Sequence, residues 1–230
     1  NREEALESAS IYSAAGLFME KSKKISSCRP FREVQPVITQ SSLIGGKENG
    51  IGEINLAHNG VLYIDEITEM KPNLIDSLRI PLENHFSVYS KNGVTEKIPA
   101  DFLLAATANP CRCGNLFEGA DRCSCNRAQI KNRLSKISLP IADRIDIHIP
   151  VRSVKFSDYG KKDSENSETV RERIKRTMDI QKERYKDEKV KLNGRLDRRL
   201  TERYCRPCSS ARSDLGSAVK EMGFSVGGCD

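Results

Sequence analysis

No stretch of this 230-residue chain reads G-x-x-x-x-G-K-[ST], the loop that wraps phosphates in backbone N–H groups and aims a Lys at them. The nearest run, Gly45-Gly46-Lys47-Glu48, has neither the spacing nor the hydroxyl residue. A phosphate-cradling hydrolase complete in itself is thereby excluded. No apolar run reaches the length needed to cross a bilayer, and no charged segment followed by an apolar one opens the chain. Both absences lead to the expectation of a soluble, cytoplasmic protein without a membrane partner. There is no initiator Met either: Asn1-Arg2-Glu3-Glu4-Ala5-Leu6 enters at once a helical pattern carrying Ala5, Leu6, Ala9 and Leu17. No internal repeat is visible.

What is present is ordinary in bulk. Hydrophobic residues make up 37% and charged residues 30%, enough for one medium α/β domain and a small appendage at this length. The net charge of +6 permits contact with nucleic acid without demanding it, because acids and bases are interleaved.

The sharpest local signal is Gly60-Val61-Leu62-Tyr63-Ile64-Asp65-Glu66, four apolar residues running into two adjacent carboxylates. Such a run fits a strand buried on both faces. Acids at its end are costly unless they bind a cation or hold a catalytic water. That is the design of a Walker B strand, with Asp65 holding Mg²⁺ and Glu66 polarising the attacking water. The bland counter-reading is a buried strand ending in a solvated acidic turn. If the hydrolase reading holds, the missing phosphate loop makes this chain an ATPase fragment that begins after that loop.

Three regions follow from the pattern. Residues 1–152 alternate apolar strands with helical or loop segments, residues 153–168 read as a polar linker, and residues 169–230 are mostly helical. In the last region Val170, Ile174, Met178, Gln181 and Tyr185 form a stripe, followed by Leu196, Leu200 and Tyr204, then Leu215, Val219 and Met222. Within the first, Pro72 starts a helix carrying Leu74, Ile75, Leu78 and Leu82. Lys91-Asn92-Gly93 sits between alternating segments and predicts a β-hairpin. Asp101–Pro110 reads as a second buried strand tipped by Asn109, whose amide could bond a phosphate or its attacking water. A turn residue before proline is the plainer explanation of Asn109.

Cys111-x-Cys113 and Cys123-x-Cys125 place four thiols within fifteen residues. In a reducing compartment such a group suggests structural Zn²⁺. C-x-C spacing is less diagnostic than C-x-x-C, so free thiols and a disulfide stay open. Cys205 and Cys208 lie in a predicted helix without a second pair, and Cys28 and Cys229 give no signal.

Collinear motifs then carry a resemblance. They are Arg29-Pro30-Phe31-Arg32, Leu43-Ile44-Gly45-Gly46, Gly52-Glu53-Ile54-Asn55-Leu56-Ala57-His58-Asn59-Gly60, Arg79-Ile80-Pro81-Leu82-Glu83, Asn109-Pro110-Cys111-Arg112-Cys113-Gly114, Arg133-Leu134-Ser135 and Asp143-Arg144-Ile145-Asp146-Ile147-His148. Together they resemble magnesium-chelatase-related AAA+ ATPases, most closely the ComM/YifB competence branch. The helical tail matches more loosely through Gln181–Tyr185, Asn193 and Tyr204-Cys205.

The resemblance implies a partial AAA+ P-loop NTPase core of α/β class, with a parallel sheet and a β-hairpin insertion, followed by an incomplete α-helical lid. It makes Asp65 and Glu66 the Walker B pair on Mg-ATP, Asn109 the sensor 1 residue and Arg144 an arginine finger serving a neighbouring subunit. Arg133 is a second candidate for an intersubunit contact, and a surface pairing of Arg144 with Asp143 or Asp146 is its plain alternative. Lys91, at the tip of a hairpin resembling one that lines the pore of ring helicases, would touch DNA phosphate; otherwise it merely keeps the hairpin soluble. The implied activity is a hexameric, DNA-translocating branch-migration motor. The alternatives are a chelatase-type remodeller of a protein partner and a non-catalytic zinc-bearing interaction module. Gln35 and Pro36 replace the family's usual His pair, and Val226-Gly227-Gly228-Cys229-Asp230 is too short and glycine-rich for the last lid helix, so its sensor 2 contact with ATP is expected to be lost.

Overall fold

The computed structural model describes residues 2–17, 25–26, 28–46, 50–91, 93–118, 122–154 and 165–222, without the side chains of Lys91 and Met222. The expectations for Lys47, Glu48, Asn92, the Lys91 side chain and residues 223–230 lie outside the described residues. The chain divides into two units, Asn1–Arg152 and Ser153–Asp230.

The first unit is built on three parallel strands in the order β1 (Phe31–Val34), β2 (Val61–Ile64) and β5 (Leu103–Ala106). Phe31 pairs with Val61 and Val61 with Leu103, so all three strands run in phase. Period-2 alternation sends Leu62 and Ile64 into the core, where both are fully buried. Each contributes roughly 1.5–3 kcal/mol by leaving water. Helices α2 (Gln40–Ile44), α3 (Glu53–Leu56), α4 (Pro72–Ser77) and α7 (Leu139–Ala142) supply Leu43, Ile54, Ile75 and Ile141 to the same cluster. Pro72 opens α4, whose Leu74 and Ile75 are buried, as is Leu78 just beyond it; α5 (Arg79–Asn84) follows.

Burial of β2 and β5 on both faces, expected from their apolar composition, is not observed. On the opposite face Phe31 is 62% and Leu103 67% exposed. Phe31 and Tyr63 stack there at 6.0 Å. The described helices cover one side of the sheet, so only alternate residues enter the core. The segment after α7 behaves similarly: Ile145 packs on the core, whereas Ile147, Ile149 and Val151 stand exposed.

Two sequence motifs meet as a clasp around this sheet. Arg32 forms a two-pronged ion pair with Glu53, Nε to Oε2 at 2.6 Å and Nη2 to Oε1 at 2.8 Å. Arg29 donates to the Asn59 carbonyl at 2.6 Å and to Glu4 of α1 (Arg2–Ala14) at 2.8 Å. Gly60 is required by close approach, since a Cβ there would lie 2.0 Å from the Pro30 carbonyl oxygen. Asn55 is fully buried; it accepts from Gly52 N and donates to Ser87 Oγ and to the carbonyls of Pro99 and Ile98.

Those last partners belong to the hairpin. β3 (Phe86–Lys91) and β4 (Val94–Pro99) pair antiparallel from Phe86↔Pro99 to Lys91↔Val94, as the Asn-Gly signal predicts. The chain returns from it into β5.

In the second unit, α8 (Ser167–Arg184) is capped by Asn166, which accepts from Thr169 N at 2.9 Å. It begins inside the stretch read as linker, whose residues 155–164 lie outside the described set. Then come α9 (Arg198–Tyr204), capped by Asp197, and α10 (Ser209–Met222). Tyr185 is fully buried, meets Tyr204 edge-on at 5.1 Å and donates to Asn193 Oδ1 at 2.9 Å. Gln181 accepts from Asn193 N at 2.8 Å. The apolar stripe expected along α8 is buried only at this end, and Ile174 is exposed.

Candidate functional site

The in-phase ladder that ends at Ile64↔Ala106 brings the residues just beyond it together at the carboxyl ends of β2 and β5. Thr107 N donates to Ile64 O at 3.0 Å and Ile67 N to Thr107 O at 2.9 Å, extending the pairing past both strands. Thr107 Oγ1 donates to Asp65 Oδ1 at 2.7 Å and accepts from Glu66 N at 2.8 Å. Tyr63 also donates to Asp65 Oδ1, at 3.1 Å, and this bond to a carboxylate holds the phenol above its usual pKa. Two donors on one oxygen fix the carboxylate's orientation.

Glu66 adopts a left-handed backbone, φ 51° and ψ 53°. For a residue with a Cβ this costs about 1–2 kcal/mol. Its N–H bond to Thr107 helps to hold the turn, and the side chain reaches Asn109, whose Nδ2 donates to Glu66 Oε1 at 2.6 Å. The two residues meet although 43 positions separate them.

A second layer closes the site. In α6 (Arg127–Leu134), Asn126 caps the helix, and Asn126 and Gln129 bond reciprocally. Arg133 of this helix donates Nε to Asn109 O at 2.8 Å and Nη2 to Glu69, whose carboxyl it holds below the usual range. Lys136 donates to Thr68 O at 2.7 Å. Glu66, Asn109, Arg133, Lys136, Cys111 and Cys113 are among the residues lining a cleft of about 660 Å³ here.

The four loop cysteines converge beside that cleft, their sulfurs all within 4.8 Å of one another. Cys111 is buried and the others half-buried. The Asn115 N–H and the Cys111 thiol hold Cys113 down at about 6. The Cys125 N–H acts the same way on Cys123, but burial and the neighbouring Cys113 and Cys111 outweigh it and push that thiol up to about 11.

Comparison with known proteins places this geometry. The family model described as magnesium chelatase, subunit ChlI, matches residues 1–159, and that of the ChlI C-terminal part matches residues 164–230. The chain belongs to the magnesium chelatase ChlI family. Within this family it is similar to the competence protein ComM of Haemophilus influenzae, 33% identical over 202 residues that make up 86% of this chain and 38% of that protein. YifB of Escherichia coli is 32% identical over 229 residues, 98% of this chain and 44% of YifB. A 67 kDa magnesium-chelatase subunit of Chlorobaculum tepidum is 27% identical over 92 residues, 35% of this chain and 15% of the subunit. The chain thus spans less than half the length of the curated relatives it matches. The AAA+ α/β class and the likeness to ComM and YifB read from the motifs are borne out.

For a ChlI-family chain the placement of the expected residues is uneven. Asp65, Glu66 and Asn109 come together. Arg144 is not with them: it donates to Pro140 O and to Glu83 Oε2, both at 2.8 Å, and its Nε is buried without a hydrogen bond. Its ion-pair partner is thus Glu83 rather than Asp143 or Asp146. Arg133, expected at a contact between subunits, bonds within its own chain to Asn109 and Glu69. Lys91 ends β3, and its side chain lies outside the described residues. Among the described residues, no helix is long and apolar enough to cross a membrane.

Thr107, Glu69 and Lys136 escaped the sequence reading. Thr107 could have been found by aligning β2 and β5 in phase, which sets it opposite Asp65. Nothing in the sequence marks Glu69 or Lys136.

Proposed function

We propose that this chain is part of an ATP-driven AAA+ motor that acts on DNA as a homo-hexameric ring, of the branch-migration kind that serves natural transformation in the cytoplasm. One observation carries the reading: the Glu66 carboxylate and Asn109 amide meet at 2.6 Å at the carboxyl ends of neighbouring parallel strands. That is where open α/β sheets bind ligands. With Oε1 engaged by Asn109, Glu66 keeps Oε2 to accept a hydrogen bond from water and align it with the γ-phosphorus of ATP. Water adds, the bond to the bridging oxygen breaks, and ADP and phosphate leave. Asn109, steadied through its carbonyl by Arg133, senses whether the γ-phosphate is present.

The Asp65 site fits a hard cation. Thr107 and Tyr63 both bond Oδ1, and among the described residues Oδ2 has no donor, which suits Mg²⁺ with its water and phosphate ligands. When bound, Mg²⁺ neutralises charge on the phosphates. The phosphates themselves would be gripped by a loop that this chain does not contain. Arg144, tethered by Glu83, would serve the neighbouring subunit's nucleotide; a guanidinium finger is worth about 10³–10⁵ in turnover in related systems. A structural Zn²⁺ at the thiol cluster is independent of this reading.

DNA is assigned to the hairpin because β3 and β4 stand between β2 and β5 in the chain and expose Val88 and Val94. Lys91 at its end would bond phosphate without reading sequence. The test uses the full-length protein. Glu66→Gln should bind ATP and not hydrolyse it, and DNA should stimulate the wild type. Lys91→Ala should weaken DNA binding evenly across sequences and flatten its salt dependence. Turnover stimulated by a protein partner and indifferent to DNA would refute the DNA reading in favour of chelatase-type remodelling. Full turnover by Glu66→Gln would refute the site.

A further inference from the structure

We infer that Cys111, Cys113, Cys123 and Cys125 form a tetrahedral structural Zn²⁺ site that ties Asn109 to the start of α6. The inference stands on the sulfur geometry and does not depend on ATP or DNA.

Zinc holds thiolates at about 2.3 Å, so the sulfurs of a regular Cys₄ site lie about 3.8 Å apart. Here Cys111 and Cys113 are 3.4 Å apart, Cys111 and Cys123 3.8 Å, and Cys113 and Cys123 3.6 Å. Cys125 completes the group within 4.8 Å. A disulfide would bring two sulfurs to about 2.0 Å and leave the other pair apart. Instead each of three sulfurs has two others at the edge length of one tetrahedron. C-x-C spacing, weak evidence in sequence, is here joined to a second C-x-C across a loop, and all four sulfurs lie within 4.8 Å of one another. On binding, zinc displaces the thiol protons; no redox change is involved.

The position of the site gives it consequence. Cys111 follows Asn109-Pro110 directly, and Cys125 precedes Asn126, the cap of α6. Closing the loop between them fixes where α6 starts relative to the end of β5. Arg133 is carried on that helix and bonds the Asn109 carbonyl at 2.8 Å. Cys111 and Cys113 also line the cleft with Glu66 and Asn109. The metal thus sets one wall of this cleft as a positioning element.

The test is metal analysis of the chain purified under reducing conditions with zinc supplied. One zinc per chain is expected. Replacement by Co²⁺ should give the visible bands and thiolate charge transfer of a tetrahedral four-sulfur site. Cys113→Ser and Cys123→Ser should lose metal to a chelator at least about tenfold faster, since even groups that only support a ligand are worth 10–100-fold. Cys113→His keeps a zinc ligand and should retain more metal than Cys113→Ser, whereas Cys205→Ser should change nothing. Stripping the metal should remove amide-exchange protection from residues 111–118 and the first turn of α6, and leave the β3–β4 hairpin protected. Four free thiols with no metal and no cobalt spectrum would overturn the site, as would a mass showing disulfides. Unchanged protection at α6 after stripping would overturn the positioning role. Should the serine variants fail to fold, the cobalt spectrum of the unaltered chain decides the matter alone.

Discussion

Replacing Asn55 tests how the hairpin is anchored. Its amide is fully buried, accepts from Gly52 N at 2.9 Å, and donates to Ser87 Oγ at 2.9 Å and Pro99 O at 3.1 Å. Asn55→Ala leaves these three partners without it. A buried polar group stranded in this way costs about 1–3 kcal/mol, and water entering the vacated space recovers part. We expect a loss of about 3–5 kcal/mol, a large share of the 5–15 kcal/mol typical of a domain. Asn55→Asp is more discriminating. It keeps the acceptor for Gly52 N but turns the donating end into an oxygen facing two carbonyls. That carboxyl will have its folded pKa raised above the unfolded value. Below about pH 4, the unfolded aspartate pKa, it is neutral in both states and carries no ionisation penalty. As pH rises from there the unfolded chain ionises first, and stability falls by about 1.4 kcal/mol per pH unit until the folded pKa is passed. Urea unfolding of wild type and variant at matched pH from 4 to 7 isolates the difference. A flat difference across that range, or an Asn55→Ala cost under about 1 kcal/mol, would show that Asn55 does not hold the hairpin as described.

Thr107→Val keeps the side-chain shape and removes its bonds to Asp65 and Glu66; we expect about 1–2 kcal/mol of lost stability by denaturant midpoint, largely restored in Thr107→Ser. Arg133→Met should change the acid limb of the stability curve. Arg133 depresses the Glu69 pKa, so the stability it confers is complete above Glu69's unfolded pKa and is lost as pH falls through the lower folded value. The variant should lack that part of the slope, and an identical acid limb would contradict the pairing. Tyr185→Phe removes the bond to Asn193 and should cost about 1 kcal/mol in unfolding of the second unit, read by amide exchange.

The hairpin, the Pro72 helix start and the acidic strand were legible because each is written in local chemistry. Gly93 supplies a positive φ at the hairpin turn, Pro fixes the first helical φ, and an apolar run before two acids defines a strand and its end. Burial on the second face was not legible. Periodicity reports which residues can be buried, and Phe31 and Leu103 are apolar yet stay largely exposed, Phe31 covered on one side only by Tyr63. Composition sets a demand for cover, and only tertiary contact meets it.

The site divides along the same line. Asp65, Glu66 and Asn109 are visible because carboxylates and an amide at strand ends are chemically costly there. Arg133 is conspicuous as a charge, but charge alone says nothing of whether it reaches across a subunit boundary or, as found, back to Asn109 on its own chain. Thr107 is harder still, since a lone threonine just past a strand draws no notice. Yet it is the residue that joins the others, bonding Asp65 with its hydrogen and Glu66 N with its oxygen. The left-handed turn at Glu66 runs against the preference of any residue with a Cβ and persists where its surroundings over-determine it. Thr107 is one of those determinants, and it is in place because β2 and β5 run in phase. Strand register therefore fixes the geometry of the site. A slip of one residue along β5 would move Thr107 to the other face and release Glu66 from Asn109.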